Sequence, residues 1–198
     1  MPASLRFDDL PFGFSWVVQE PMQRTSHALA VDGRVWLIDP VDEPAALERA
    51  AAMGEPAGVI QLLDRHKRDC AQISTRLGVP HVKAFDGTAA GPFEVVPVLR
   101  LPVWKEVALW WAATRTLVVA EAVGTHPVWA AGSAPAGIHF VLRLRPPRKL
   151  STYRPEHLLV GHGMGVHGRQ AAVALDEAFA RSRRDLPRAL LKIPSSLR

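Results

Sequence analysis

Only one cysteine, Cys70, occurs in 198 residues. No disulfide can therefore close within the chain, and a multi-cysteine zinc site is excluded, although a single thiolate can still join a mixed-ligand metal site. Long apolar runs are missing too. No uncharged apolar run reaches the roughly 18 residues that a membrane-spanning helix requires, and Arg6, Asp8 and Asp9 stand where a secretory leader would be apolar. A soluble, cytoplasmic protein with no membrane partner is the expectation. Low-complexity sequence is also absent: the 17 prolines and 14 glycines are scattered, and 48% of residues are apolar. This length and composition support one buried core, hence a single domain over residues 1–198 with a frayed, basic C-terminus from about 187 to 198.

The net charge of +5 is unevenly placed. Residues 1–142 carry 12 basic and 15 acidic side chains, whereas residues 143–198 carry 12 basic and 4 acidic ones. The basic C-terminal region suits contact with nucleic acid, and it suits equally a solvated helix face.

In the first half, strand-like and helix-like periods alternate. Phe14 to Gln19 and Thr25 to Val31 read as strands, and Asp32-Gly33 before Arg34 to Ile38 is a hairpin signal. Pro44 opens a helix stopped near Gly54; Gly58 to Leu63 is a buried strand, Asp69 to Leu77 a second helix ended by Gly78, and Val79 to Phe85 another strand. This order predicts parallel pairing with helices packed on the sheet. Further on, Glu94 to Arg100, Glu106 to Trp111 and Thr116 to Ala120 predict a meander. Ile138 to Leu144 and His157 to Val160 read as strands, and Arg169 to Arg184 as an amphipathic helix.

Parallel sheets gather ligands beyond the carboxyl ends of their strands. Four such ends carry titratable groups: Asp39 after Ile38, the run Asp64-Arg65-His66-Lys67-Arg68-Asp69-Cys70 after Leu63, Glu121 after Ala120, and His162 after Val160. In order and landmarks the chain resembles the metallo-β-lactamase fold hydrolases. Leu37-Ile38-Asp39 matches that family's strand ending in Ile-Asp, Glu121 falls at its bridging aspartate, and Gly161-His162-Gly163 at its last histidine. The His-x-His-x-Asp-His motif of the family falls on Arg65 to Cys70, where only Asp69 matches, and a further metal histidine is replaced near Pro102.

The resemblance implies an α/β fold, the compact αβ/βα four-layer sandwich. It also implies a degenerate metal site, because arginine and a protonated lysine do not ligate zinc. One reading makes Asp39, Arg65, Lys67, Asp69, Glu121 and His162 an ion-pair cluster. The protein then has no cofactor and no hydrolase activity, and serves as a structural or binding module for a small anionic molecule. The other reading keeps a single zinc or similar ion on Asp69, Cys70, Glu121 and His162 for hydrolysis of an ester, lactone or phosphoester. The remaining histidines, His66 among them, lack mutual metal spacing and read as packing or surface residues. Gly163-Met164-Gly165-Val166-His167-Gly168 fits a G-x-G-x-x-G dinucleotide pattern, but no strand follows its helix to complete that unit. Its amides remain candidates for a smaller anion.

Overall fold

The computed structural model describes residues 4–66, 68–132 and 134–192. Its first sheet begins as an antiparallel meander of β1 (Leu5–Leu10), β2 (Gly13–Val18), β3 (Thr25–Val31) and β4 (Arg34–Ile38). Asp32 and Gly33, at φ 51° and 75°, make the tight turn between β3 and β4. Helix α1 (Pro44–Ala51) then leads to β5 (Glu55–Gln61), and α2 (Cys70–Leu77) to β6 (His81–Lys83). Both strands add in parallel, giving the order β1-β2-β3-β4-β5-β6. Gly78, at φ 66°, ends α2 in the left-handed cap that glycine favours.

The second sheet repeats the logic. Strands β7 (Glu94–Leu101), β8 (Trp104–Trp111) and β9 (Thr116–Val119) form a meander. A small ribbon of β10 (Val123–Gly124) and β11 (Gly137–Ile138) encloses the short helix α3 (Pro127–Ala130). Strand β12 (His157–Val160) lies parallel to β9, and β13 (Val166–His167) closes the order β13-β12-β9-β8-β7. Helices α4 (Arg169–Arg181) and α5 (Leu186–Lys192) complete the described chain.

Alternation along the strands builds the layers. Leu37 and Val59 face Ala46, Ala50 and Ile73 of the first two helices, while their neighbours Ile38 and Ile60 face Leu109, Leu117 and Val119 of the second sheet. Ala171, Ala174, Leu175 and Phe179 of α4 pack onto the main core beside β12 and β13. The result is the expected sandwich with helices outside two facing sheets. Among the described residues no helix is long and apolar enough to cross a membrane.

Several elements, the short α3, β10 and β13 among them, differ from the sequence reading. Ile138 to Leu144 is not a strand: after β11 the chain makes a single 3-10 turn, Phe140–Leu142, capped by the His139 ring, which accepts the Val141 N–H. Arg143 then turns inward and donates to the carbonyls of Trp129 and Ser182. Helix α4 stops at Arg181, and α5 covers part of the stretch expected to fray, because a proline at 187 lies in the first helical turn, where its missing N–H costs nothing. Strand β1 was not anticipated.

Candidate metal centre

The four polar strand ends belong to two sheets, not one. β4 and β5 run parallel in the first, β9 and β12 in the second. Two sets of backbone bonds bind their carboxyl ends together. On one side Val107 donates to the Leu62 carbonyl at 3.0 Å and Asp64 to that of Lys105 at 3.1 Å; on the other, Thr25 donates to the Gly161 carbonyl at 2.8 Å. The loops after all four strands thereby share one edge.

On that edge His66, Glu121 and His162 bring one donor atom each to within 4.8 Å of one another. The Nδ1 atoms of both imidazoles already have partners. His66 Nδ1 meets Asp39 Oδ2 at 3.2 Å, and His162 Nδ1 meets the Met22 carbonyl at 2.8 Å. A carbonyl only accepts, so His162 carries its proton on Nδ1. Burial, then the charges of Arg68 and His66, push the His162 pKa well below its ordinary value. Its ring is therefore neutral, and Nε2 keeps a lone pair. The Nε2 atoms of His66 and His162 are both buried without a hydrogen-bond partner. Trp129 stacks on the His162 ring at 4.5 Å and fixes its plane.

Asp39 is buried and accepts the Leu62 N–H at 3.1 Å in addition to His66. Burial raises its pKa, but the hydrogen bond and charge of His66, with Arg68, outweigh this and hold the carboxylate below its usual range. Its φ of 44° is rare for a residue with a side chain and is held by those bonds. Arg65 donates to Glu121 Oε2 at 2.7 Å and lies 3.7 Å over the Trp104 ring. Lys67 lies outside the described residues. Arg68, not singled out in the sequence, reaches the Gly161 carbonyl at 2.9 Å, and its Nη1 is buried without a partner.

Asp69 and Cys70 are not in the gathered group. Asp69 accepts the Asp42 N–H at 2.8 Å and thereby pins the loop before α1. Cys70 packs in the cluster beneath α1 and α2, where burial pushes its thiol pKa up and keeps it protonated. His66, read as a packing residue, takes part instead. Glu106 was also missed. It is buried, accepts the amides of Glu121 and Ala122 at 2.8 Å each, and accepts the Trp104 indole N–H at 2.9 Å. One acid in the apolar strand Glu106 to Trp111 was the available signal. In the glycine-rich loop, the Gly163 amide donates to Gln23 and the Gly165 amide to Asp8, so neither is free for an anion.

Beside the group opens a cavity of about 830 Å³, bordered by Arg65, Glu121 and His162 on its polar side and by Trp104, Trp129 and Phe140 on its apolar side.

Solved structures share this architecture. A DIM-1 metallo-β-lactamase exposed to ceftazidime superimposes with a TM-score of 0.60 at 12% identity, over 92% of this chain and 99% of that one. The fold is that of the metallo-β-lactamases. A second DIM-1 metallo-β-lactamase gives 0.57 at 13% identity, over 91% and 98% of the two chains, and TMB-1 gives 0.55 at 11%, over 90% and 98%. No protein-family model matches the chain, and no curated protein does. At this identity the metallo-β-lactamase likeness speaks to fold; the site must be argued from its own atoms.

Those atoms fit one divalent ion. Two enclosed imidazole nitrogens without a hydrogen-bond partner, beside a carboxylate, form a two-histidine, one-carboxylate donor set of a type that zinc accepts with a position left open. Asp39 and the Met22 carbonyl supply the backing that orients such histidines.

Proposed function

We propose that this chain is a single-metal hydrolase of metallo-β-lactamase fold, acting on an ester, lactone or phosphoester. The observation that carries the reading is the pair of buried, unpartnered Nε2 atoms on His66 and His162, two residues that gather with Glu121. A buried polar atom without a partner costs about 1–3 kcal/mol, so two on neighbouring rings are expected only where something binds them. When bound, a divalent ion supplies Lewis acidity and a water of lowered pKa. His66 and His162 would hold it through their unpartnered nitrogens, and Glu121 through its carboxylate. Arg65 borders the cavity with N–H groups to spare and orients a substrate oxygen. With an ester, water adds across the acyl C–O bond: its OH goes to the acyl carbon and its proton to the departing alkoxide.

One observation favours a second reading. The 2.7 Å pair between Arg65 and Glu121 is what a metal-free ion-pair module would also have, with Arg65 as receptor for a small anion. Hydrolysis separates the two. The expected result is turnover of p-nitrophenyl acetate, γ-butyrolactone or p-nitrophenyl phosphate by zinc-loaded protein, abolished by chelator and by His162→Ala. Zinc-independent binding of acetate or phosphate, lost in Arg65→Ala and accompanied by no turnover, supports the module instead.

A further inference from the structure

We infer that the cavity beside the metal centre binds an aliphatic chain, so that the substrate is an amphiphile with its reacting group at His162 and Glu121 and its tail toward the cavity mouth. The position of the reacting group rests on the single-metal reading above; the binding of the tail does not.

Among the described residues seven large apolar side chains are exposed, and three of them, Leu101, Val103 and Val141, border this one cavity. They are 47%, 78% and 57% exposed. Leu101 and Val103 come from the β7–β8 hairpin, Val141 from the 3-10 turn after β11, so two unrelated elements present aliphatic groups to the same opening. Single exposed apolar residues are ordinary, whereas a group around a concave mouth marks a binding site.

Behind this rim runs a wall of rings. Trp104 meets His139 at 4.9 Å, His139 meets Trp129 at 5.6 Å, and Trp129 stacks on His162. Neither indole offers a donor to the cavity: Trp104 donates to Glu106, and Trp129 donates to the Glu121 carbonyl at 2.7 Å. Burial pulls the His139 pKa down to about 4, so that ring is uncharged at neutral pH. Of the bordering cations, Arg24 pairs with Glu20, and Arg65, paired with Glu121, belongs to the polar end. Beyond the polar end the lining is mainly rings and aliphatic groups, with the Nε2–H of His139 as a donor among them, and it suits methylenes.

The test uses the full chain, stripped of metal, and 1-alkanols from ethanol to dodecanol, which cannot be hydrolysed. Binding is followed by tryptophan fluorescence and calorimetry. Affinity is expected to rise about fourfold per methylene until the cavity is filled. The double variant Val103→Asp, Val141→Asp changes only exposed positions, so it should keep the fold and weaken decanol binding at least about tenfold. A flat chain-length series, or one unchanged in the double variant, overturns the inference. So does a wild-type dimer that the double variant splits, because the rim is then a contact between copies. Metal content of the unstripped protein is measured in parallel. One ion per chain with a flat series removes the tail site and leaves the metal centre; a steep series without any ion does the reverse.

Discussion

Asp39 combines a left-handed backbone, two accepted hydrogen bonds and a place directly behind His66. In Asp39→Asn the amide oxygen still serves Leu62, but the amide nitrogen then faces His66 Nδ1 and favours the tautomer whose Nε2 carries the proton. Zinc affinity, read by competition with a chromophoric chelator, is expected to fall about 10- to 100-fold while the circular dichroism spectrum is kept. Glu106 behaves differently. Burial raises its pKa to about 7, against the pull of three donated hydrogen bonds. The native state thus holds a proton that the unfolded chain releases above the ordinary glutamate pKa near 4.5. This group's stabilising contribution is full at low pH and shrinks as pH rises from about 4.5 to about 7. In Glu106→Gln that part of the pH dependence is expected to vanish from urea midpoints measured at pH 5 and 8. The variant is also less stable by about 1–3 kcal/mol, because an amide nitrogen cannot accept the Trp104 N–H. At this scale the sequence was partly legible. Asp39, Glu121 and His162, each read from its place after a strand end, do come to one edge. His66 was missed because the motif register points to Arg65 and Lys67, and the turn after β5 brings in the residue between them.

Elements were easier to read than side chains wherever periodicity and turn residues agreed. The strand, helix, strand alternation from β4 to β6, the hairpin at Asp32-Gly33 and the meander β7 to β9 follow from such patterns. The segment from 124 to 155 did not yield, since tertiary contacts decide it: Arg143 holds α3 to the C-terminal region through the carbonyls of Trp129 and Ser182. This segment supplies Val128, Trp129, His139, Phe140 and Val141 to the cavity wall, and a glycine makes the fit. A Cβ on Gly137 would stand 1.8 Å from the Trp129 carbonyl oxygen. Gly137→Ala is expected to displace α3, shift tryptophan emission and cost about 1–3 kcal/mol by urea denaturation, with the larger effect on alkanol binding.

Across the whole molecule, two sheets meet at an edge where neither alone would make a site. No local pattern in the sequence states that β5 and β9 lie in different sheets, so the convergence of their ends was expected for a different reason. The basic C-terminal region is likewise reshaped by folding. Arg143 is buried, Arg154 pairs with Asp176 at 3.2 Å, and Arg181 with Asp185 at 2.8 Å. Filter binding to duplex DNA is therefore expected to fall off with a shallow salt dependence. A slope equivalent to about six or more phosphate contacts would point to a nucleic-acid surface after all.

The metal content of protein purified without chelator, measured by mass spectrometry after dialysis against zinc, bears most directly on the central claim. One ion per chain is predicted, lost in His66→Ala and His162→Ala and kept in Asp69→Asn and Cys70→Ala. No bound ion in the wild type, or an ion that survives His66→Ala and leaves with Cys70→Ala, would contradict it.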